Sequence, residues 1–175
     1  VEARRETLVN AGLCNGRDSA DHRAFFLQDE ISLGTQLMAT LGVRLDHHEI
    51  FGNETSPRAY LVWQASPELT IKGGYGEAFK APTLKQISSN YVGAEGPHTF
   101  YGNDNIRPET SRSFELAADY RIGPLTLRST LFQNKVKDLI YLRLLRQQGI
   151  RNFYQYDNVN RARIRGAKLE LGWDI

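Results

Sequence analysis

Leu37, Ala39, Leu41, Val43 and Leu45 alternate without a break with Met38, Thr40, Gly42, Arg44 and Asp46. A period of two is the signature of a strand with one apolar and one polar face. Sustained over about ten residues, it outruns the roughly five or six of an average soluble strand and matches a tilted strand crossing a bilayer. This one run therefore restricts the chain to long, two-faced ribbons.

The pattern recurs along the chain. Phe25, Leu27, Ile31 and Leu33 oppose Gln28, Glu30 and Ser32, with Asp29 breaking the apolar parity. Ala59, Leu61, Trp63 and Ala65 oppose Tyr60, Val62 and Gln64 in a strand expected at 58–65. Leu69, Ile71, Tyr75 and Phe79 oppose Thr70, Lys72, Gly74, Gly76 and Lys80. Gly73, Gly74 and Gly76 fit a place where a sheet curves or another backbone comes close. Further strands are expected at 113–122, with Phe114, Leu116, Ala118, Tyr120 and Ile122 on one face, and at 125–136, with Leu125, Leu127 and Leu131. A last one is expected at 160–172, with Ala167, Leu169 and Leu171. Residues 1–22 hold no sustained pattern, and 15–19 read as loop. In 138–145, Leu139, Ile140, Leu142, Leu144 and Leu145 would also make a helical face, but between strands an extended arm is expected.

Connections at one end are tight: Gly34-Thr35, Ser66-Pro67-Glu68 and Gly123-Pro124. Those beginning at His48, Pro82 and about Asp138 are expected to be longer. Short turns at one end and long loops at the other are how outer-membrane barrels are built, whereas sandwiches mix loop lengths at both ends. The expected fold is all-β: an antiparallel up-and-down transmembrane β-barrel segment. A soluble β-sandwich binding module is the rival.

Composition limits the alternatives. No run of about 18 apolar residues exists, which excludes a spanning helix but not a barrel, whose strands give a far weaker signal. A net charge of +2 is too mild to argue for nucleic acid. The single cysteine, Cys14, allows no intramolecular disulfide. The polar start, Val1-Glu2-Ala3-Arg4-Arg5-Glu6, carries no signal peptide, so the expectation is a mature chain or an excised piece of a longer one. His47-His48-Glu49 suggests a metal cluster, but neighbours on a strand face opposite ways, so no metal site is expected there. No nucleophile, base and acid set stands out either, so no catalytic residues and no enzymatic activity are expected.

The loop 82–112 is long for a compact domain and therefore a functional candidate. Pro82-Thr83-Leu84-Lys85-Gln86-Ile87 is expected to form a helical turn with proline at its first position. Tyr91, His98, Phe100 and Tyr101 supply aromatic surface, with Arg143 and Arg146 as nearby cations. These six are the candidate ligand-binding residues, suited to an anionic aromatic ligand by stacking and cation–π contact. The basic set Arg143, Arg146, Arg151, Arg161, Arg163 and Arg165 is either a solvated cluster or a place for anionic ligands or lipopolysaccharide phosphates.

Several segments resemble one family. Gly74-Tyr75-Gly76-Glu77-Ala78-Phe79-Lys80-Ala81-Pro82-Thr83-Leu84-Lys85-Gln86 is similar to the GY-x-x-F-[RK]-A-P-[ST]-L-x-[EQ] segment of TonB-dependent outer-membrane receptors. Tyr101-Gly102-Asn103-Asp104-Asn105-Ile106-Arg107-Pro108-Glu109-Thr110-Ser111 resembles their GN-x-x-L-x-PE-x-S signature. Gln28-Asp29-Glu30 and Gly42-Val43-Arg44-Leu45-Asp46 look like the family's Q-D-E and G-x-R-x-D strands. Tyr156-Asp157-Asn158-Val159, Ala162 and Gly166-Ala167-Lys168-Leu169-Glu170 resemble its Y-x-N and G-x-E strand pair. The match covers most of the chain in order, and the catecholate siderophore and colicin receptor branch is the nearest.

The resemblance implies an importer of ferric siderophores in the outer membrane of a Gram-negative bacterium. Such receptors have a barrel of about 22 strands closed by a plug. Residues 1–175 would then be about seven or eight strands of that barrel, with the plug, its TonB box and the C-terminal strands expected to be absent. Implied partners are the ferric siderophore, TonB acting through the plug, outer-membrane lipid and lipopolysaccharide, and colicin or phage. Iron would travel as part of the cargo, and the protein would hold no cofactor of its own. A passive porin-like barrel is the other membrane reading.

Overall fold

The computed structural model describes residues 1–13 and 15–174. The expectations for Cys14 and for the terminal Ile175 lie outside the described residues. The strands are β1 (Glu2–Val9), β2 (Arg17–Leu33), β3 (Leu37–His48), β4 (Gly52–Gln64), β5 (Leu69–Lys80), β6 (Val92–Glu95), β7 (His98–Tyr101), β8 (Glu109–Ile122), β9 (Leu125–Gln148) and β10 (Arg151–Trp173), with one short helix, α1 (Leu84–Ile87). They form a single ten-stranded sheet in the order β1-β2-β3-β4-β5-β8-β9-β10-β7-β6. Eight long strands run as an antiparallel meander. The small hairpin β6–β7, cut from the loop between β5 and β8, adds to β10 by a parallel pairing, Phe153 with Thr99 through Gln155 with Tyr101.

Register carries the alternation across the sheet. Ile31, Ala39 and Leu61 lie side by side, and the row continues through Gly73, Leu116, Leu131 and Ala167. No layer of the described residues covers this face. Leu41 is 48% exposed and Leu131 55%, so apolar side chains of the long strands stand outward rather than in a sealed core. Trp63, Tyr120 and Trp173 edge this belt toward the short turns, and Phe25, Tyr75 and Phe114 edge it toward the other end. An apolar band between two aromatic girdles is the outer surface of a membrane barrel, and it rules out the soluble sandwich.

The opposite face is charged. Arg44 reaches Asp46 at 3.0 Å and Glu2 at 3.0 Å, His22 Nε2 lies 2.8 Å from Asp46, and Lys72 meets Asp119 at 2.7 Å. This is also the concave face. The loop that leaves β5 brings α1 against β1, where the Leu84 N–H donates to Glu6 at 3.1 Å. A strand four places away in the sheet is reached only if the sheet curls with its polar side inward.

Several expectations change. Residues 1–22, which hold no sustained pattern, are mostly strand: Glu2–Val9 pairs with Arg17–Ala24 along its length, and of the loop expected at 15–19 only 15–16 lie between strands. Hydrophobic alternation disappears there because β1 has charged residues on both faces, and backbone pairing defines the strand instead. The longer connection expected from His48 to a strand at 58–65 is mostly β4, which leaves 49–51 between strands. Pro57 is tolerated inside β4 because β4 pairs with β5 only from Arg58 onward, so its missing N–H faces no ladder. The break near Asp138 is likewise continuous: β9 has 24 residues and β10 has 23, about twice what a tilted crossing uses. The extended arm expected for 138–145 is therefore correct, and its hairpin turns at Gly149, φ 59°. Of the three connections expected to be long, only 81–108 is a long loop. The helical turn forms, but its first position is Leu84 rather than Pro82, and Thr83 takes the cap position, with its N–H donated to Gln86 Oε1 at 2.8 Å. His47 and His48 do face opposite sides, His47 exposed and His48 buried.

Candidate ligand-binding mouth

Residues 81–108 are tied down at both ends of the sheet. On one side Asn10 Nδ2 donates to the Val92 carbonyl at 3.1 Å, beside the Glu6 contact to α1. On the other side Asn103 Nδ2 donates to the Tyr156 carbonyl at 3.0 Å, and Arg107 pairs with Asp138 at 2.9 Å. Asn158 closes the clamp. Its Oδ1 accepts from the Arg107 N–H at 2.9 Å, while its Nδ2 donates to the carbonyls of Arg107 at 3.0 Å and Asp138 at 2.6 Å. Within the loop, the Gly102 N–H donates to Tyr91 O at 3.2 Å and the Asn103 N–H to Gln86 O at 2.8 Å. Leu84, at 1% exposure, Pro82 and Ile106 are buried residues of this loop. The loop thus lies across the concave mouth, held by backbone-directed hydrogen bonds that do not depend on an apolar core.

The six candidate residues fall into two sets. Phe100 stacks on Tyr154, ring centres 5.5 Å apart and 17° from parallel, and His98 meets the same ring edge-on at 6.0 Å. His98 Nδ1 also accepts the Asn152 N–H at 3.3 Å. Position by position, His98, Phe100 and Tyr154 share one face of the β7–β10 pair, the face continuous with the lumen. Tyr101, Arg143 and Arg146 sit on the other face. Arg146 lies over the Phe153 ring at 4.1 Å, and Arg143 pairs with Asp157 at 3.2 Å and Gln155 at 3.3 Å. Tyr91 belongs to the loop and folds over Gly93. The structure therefore does not gather the six into one pocket.

Sequence reasoning missed Tyr154, the ring at the centre of the aromatic group. The signal was present in Phe153-Tyr154-Gln155-Tyr156, where Tyr154 and Tyr156 share one face of a strand and Phe153 takes the other. What hid it was the parallel pairing with β7, a contact between residues more than fifty positions apart. It also missed the luminal chain Glu2, Arg44, Asp46 and His22, because residues 1–22 showed no strand.

A family model described as "TonB dependent receptor-like, beta-barrel" matches residues 6–175. The chain belongs to this family. It is 40% identical over 118 residues to the iron-regulated outer membrane virulence protein of Vibrio cholerae, covering 67% of this chain and 18% of that protein. It is 32% identical to the ferric enterobactin receptor PirA of Pseudomonas aeruginosa, over 92% of this chain and 24% of that one. Against the crystal structure of the siderophore receptor PirA from the same organism the TM-score is 0.84, with 30% identity, 97% of this chain and 34% of the other covered. The chain thus spans about a quarter or less of the curated relatives it matches. As a TonB-dependent receptor barrel segment it sits in the outer membrane of a Gram-negative bacterium, with the tight turns periplasmic and the loop 81–108 and the β9–β10 arm extracellular. The family is one of receptors and transporters rather than catalysts.

Proposed function

We propose that this chain forms part of the wall and outer mouth of a receptor that captures ferric siderophores and imports them by TonB-driven transport. The observation that carries the reading is the luminal aromatic group of His98, Phe100 and Tyr154, held above a charged lumen by a loop clamped on both sides. Flat rings at an extracellular mouth suit a ligand with aromatic, anionic iron-chelating groups, and relatives named as ferric enterobactin receptors support that ligand class. TonB would act through a plug supplied by the rest of the protein, and colicins or phage would meet the extracellular arm. Uptake is binding and gating without bond-making, so the chain needs no catalytic group and no resident cofactor.

The test is siderophore affinity in the full-length receptor. Removing the stacked pair with Phe100→Ala and Tyr154→Ala deletes aromatic contacts of about 0.5–1.5 kcal/mol each, which together weaken ferric siderophore binding roughly 5- to 100-fold. Arg143→Ala and Arg146→Ala, on the opposite face, are expected to change affinity far less. Unchanged affinity in the aromatic double variant would remove this group from the binding site.

A further inference from the structure

Asn152 stands in the same alternating row of β10 as Tyr154, Tyr156 and Asn158, on the luminal face. It bonds to two members of the aromatic group. Its backbone N–H donates to His98 Nδ1 at 3.3 Å, and its side-chain Nδ2 donates to the Tyr154 hydroxyl oxygen at 3.1 Å. Each bond fixes a direction. A ring nitrogen that accepts an N–H carries no proton of its own, so the His98 proton sits on Nε2, which is left as a donor. The Tyr154 oxygen, already accepting from Asn152, keeps its O–H to give elsewhere. Among the described residues no oxygen or nitrogen acceptor takes either proton.

The amide of Asn152 is itself incompletely paired. Its Oδ1 is buried and has no hydrogen-bond partner among the described residues. Turning the amide round would let that oxygen accept from Tyr154, but it would bury an NH2 with both protons unpaired in its place. The observed orientation leaves one acceptor short and is the less costly of the two. Buried polar groups without partners are uncommon, and this one marks a side chain kept for the direction it imposes. The sheet is also irregular at this point. Phe153 faces Arg146 but Tyr154 faces Leu144, so Leu145 is an extra residue in β9. Such bulges re-aim neighbouring side chains and recur beside active sites.

We propose that Asn152 is a positioning residue for ligand capture: it holds the Tyr154 hydroxyl and the His98 ring as a pair of hydrogen-bond donors, so that the aromatic group selects flat ligands bearing anionic oxygens. Stacking on Phe100 and Tyr154 accepts any flat ring. Donors at the rim of those rings add discrimination, because a bond to a charged oxygen is about twice as strong as one between neutral groups. A ligand without such oxygens leaves both donors unpaired. The inference rests on the siderophore reading and assigns the property that sorts one iron chelate from another.

The test is a double-mutant cycle on the full-length receptor, comparing ferric enterobactin, an anionic tris-catecholate, with a neutral ferric trihydroxamate. Tyr154→Phe keeps the ring and removes the donor. It is expected to weaken ferric enterobactin binding about tenfold or more and to change binding of the neutral chelate little. Asn152→Asp keeps the shape but accepts the Tyr154 proton, so a loss at least as large is expected. In the Asn152→Asp or Asn152→Ala background, Tyr154→Phe should cost almost nothing further, because the hydroxyl no longer points at the ligand. His98→Phe should remain additive with Asn152→Ala, because His98 is held by the Asn152 backbone, which that substitution spares. A merely structural Asn152 would tolerate the isosteric Asp. A heat-modifiable band on gels checks that every variant folds. Additive losses in Asn152→Ala with Tyr154→Phe, or equal weakening for the two chelates, would overturn the positioning role while leaving siderophore capture standing, which Phe100→Ala tests apart. Failure of the wild-type receptor to bind ferric enterobactin would overturn both.

Discussion

Gly74 and Gly166 show what a single residue decides in this sheet. A Cβ on Gly74 would lie 2.6 Å from the ring of its cross-strand partner Tyr60, and one on Gly166 would lie 2.7 Å from the ring of Phe132. In both cases an aromatic ring on the luminal face lies against a glycine on the next strand, in space that a Cβ would fill. Gly74→Val in the full-length receptor is therefore expected to cost about 1–3 kcal/mol by overpacking, measured as a lower urea midpoint in detergent. Gly74→Ala paired with Tyr60→Ala relieves the clash and is expected to recover most of that loss. Equal stability of Gly74→Val and wild type would show that the Tyr60 ring swings aside freely. Gly74 was legible as a place of close approach, but the neighbour is the Tyr60 ring and not a backbone, because what approaches depends on register, and register is a property of two strands.

At the scale of elements, the loop 81–108 is where local sequence said least. Its residues are polar and glycine-bearing, which reads as a solvated surface loop, yet it contains a helix turn and a hairpin and is bolted to both flanks. Asn158 makes three of those bonds. Asn158→Ala is expected to leave Arg107 and Asp138 backbone groups short of partners, at about 1–3 kcal/mol of local stability. Hydrogen exchange on the full-length receptor should then speed up at 103–108 while β3 and β4 stay protected, and unchanged exchange would mean that Arg107 with Asp138 suffices. The strands in the belt were legible almost to the residue, because lipid on one side and water on the other impose a strict period of two. Beyond the belt both faces meet water, so β1, the start of β4 and the far half of β9 lost that signature.

For the whole molecule, the unpaired edges matter most. In the described residues β1 pairs only with β2, and β10 below Gln155 pairs only with β9. Unpaired backbone cannot face hydrocarbon, so these edges need further strands to close the wall. Residues 1–175 expressed alone are expected to form edge-paired oligomers or aggregates without detergent, and sedimentation as a monodisperse monomer in plain buffer would contradict that.

The amino-acid sequence alone determined the two-faced strands, their order, the tight turns at one end and the family they resemble, because each is written in spacing between near neighbours. Tertiary structure alone decided that the loop crosses the mouth, that Tyr154 joins Phe100 and His98, and that Arg143 and Arg146 stand on the face opposite that aromatic group. Those outcomes depend on how distant strands are set in register and how the sheet curls, and one residue of slip would exchange the faces entirely.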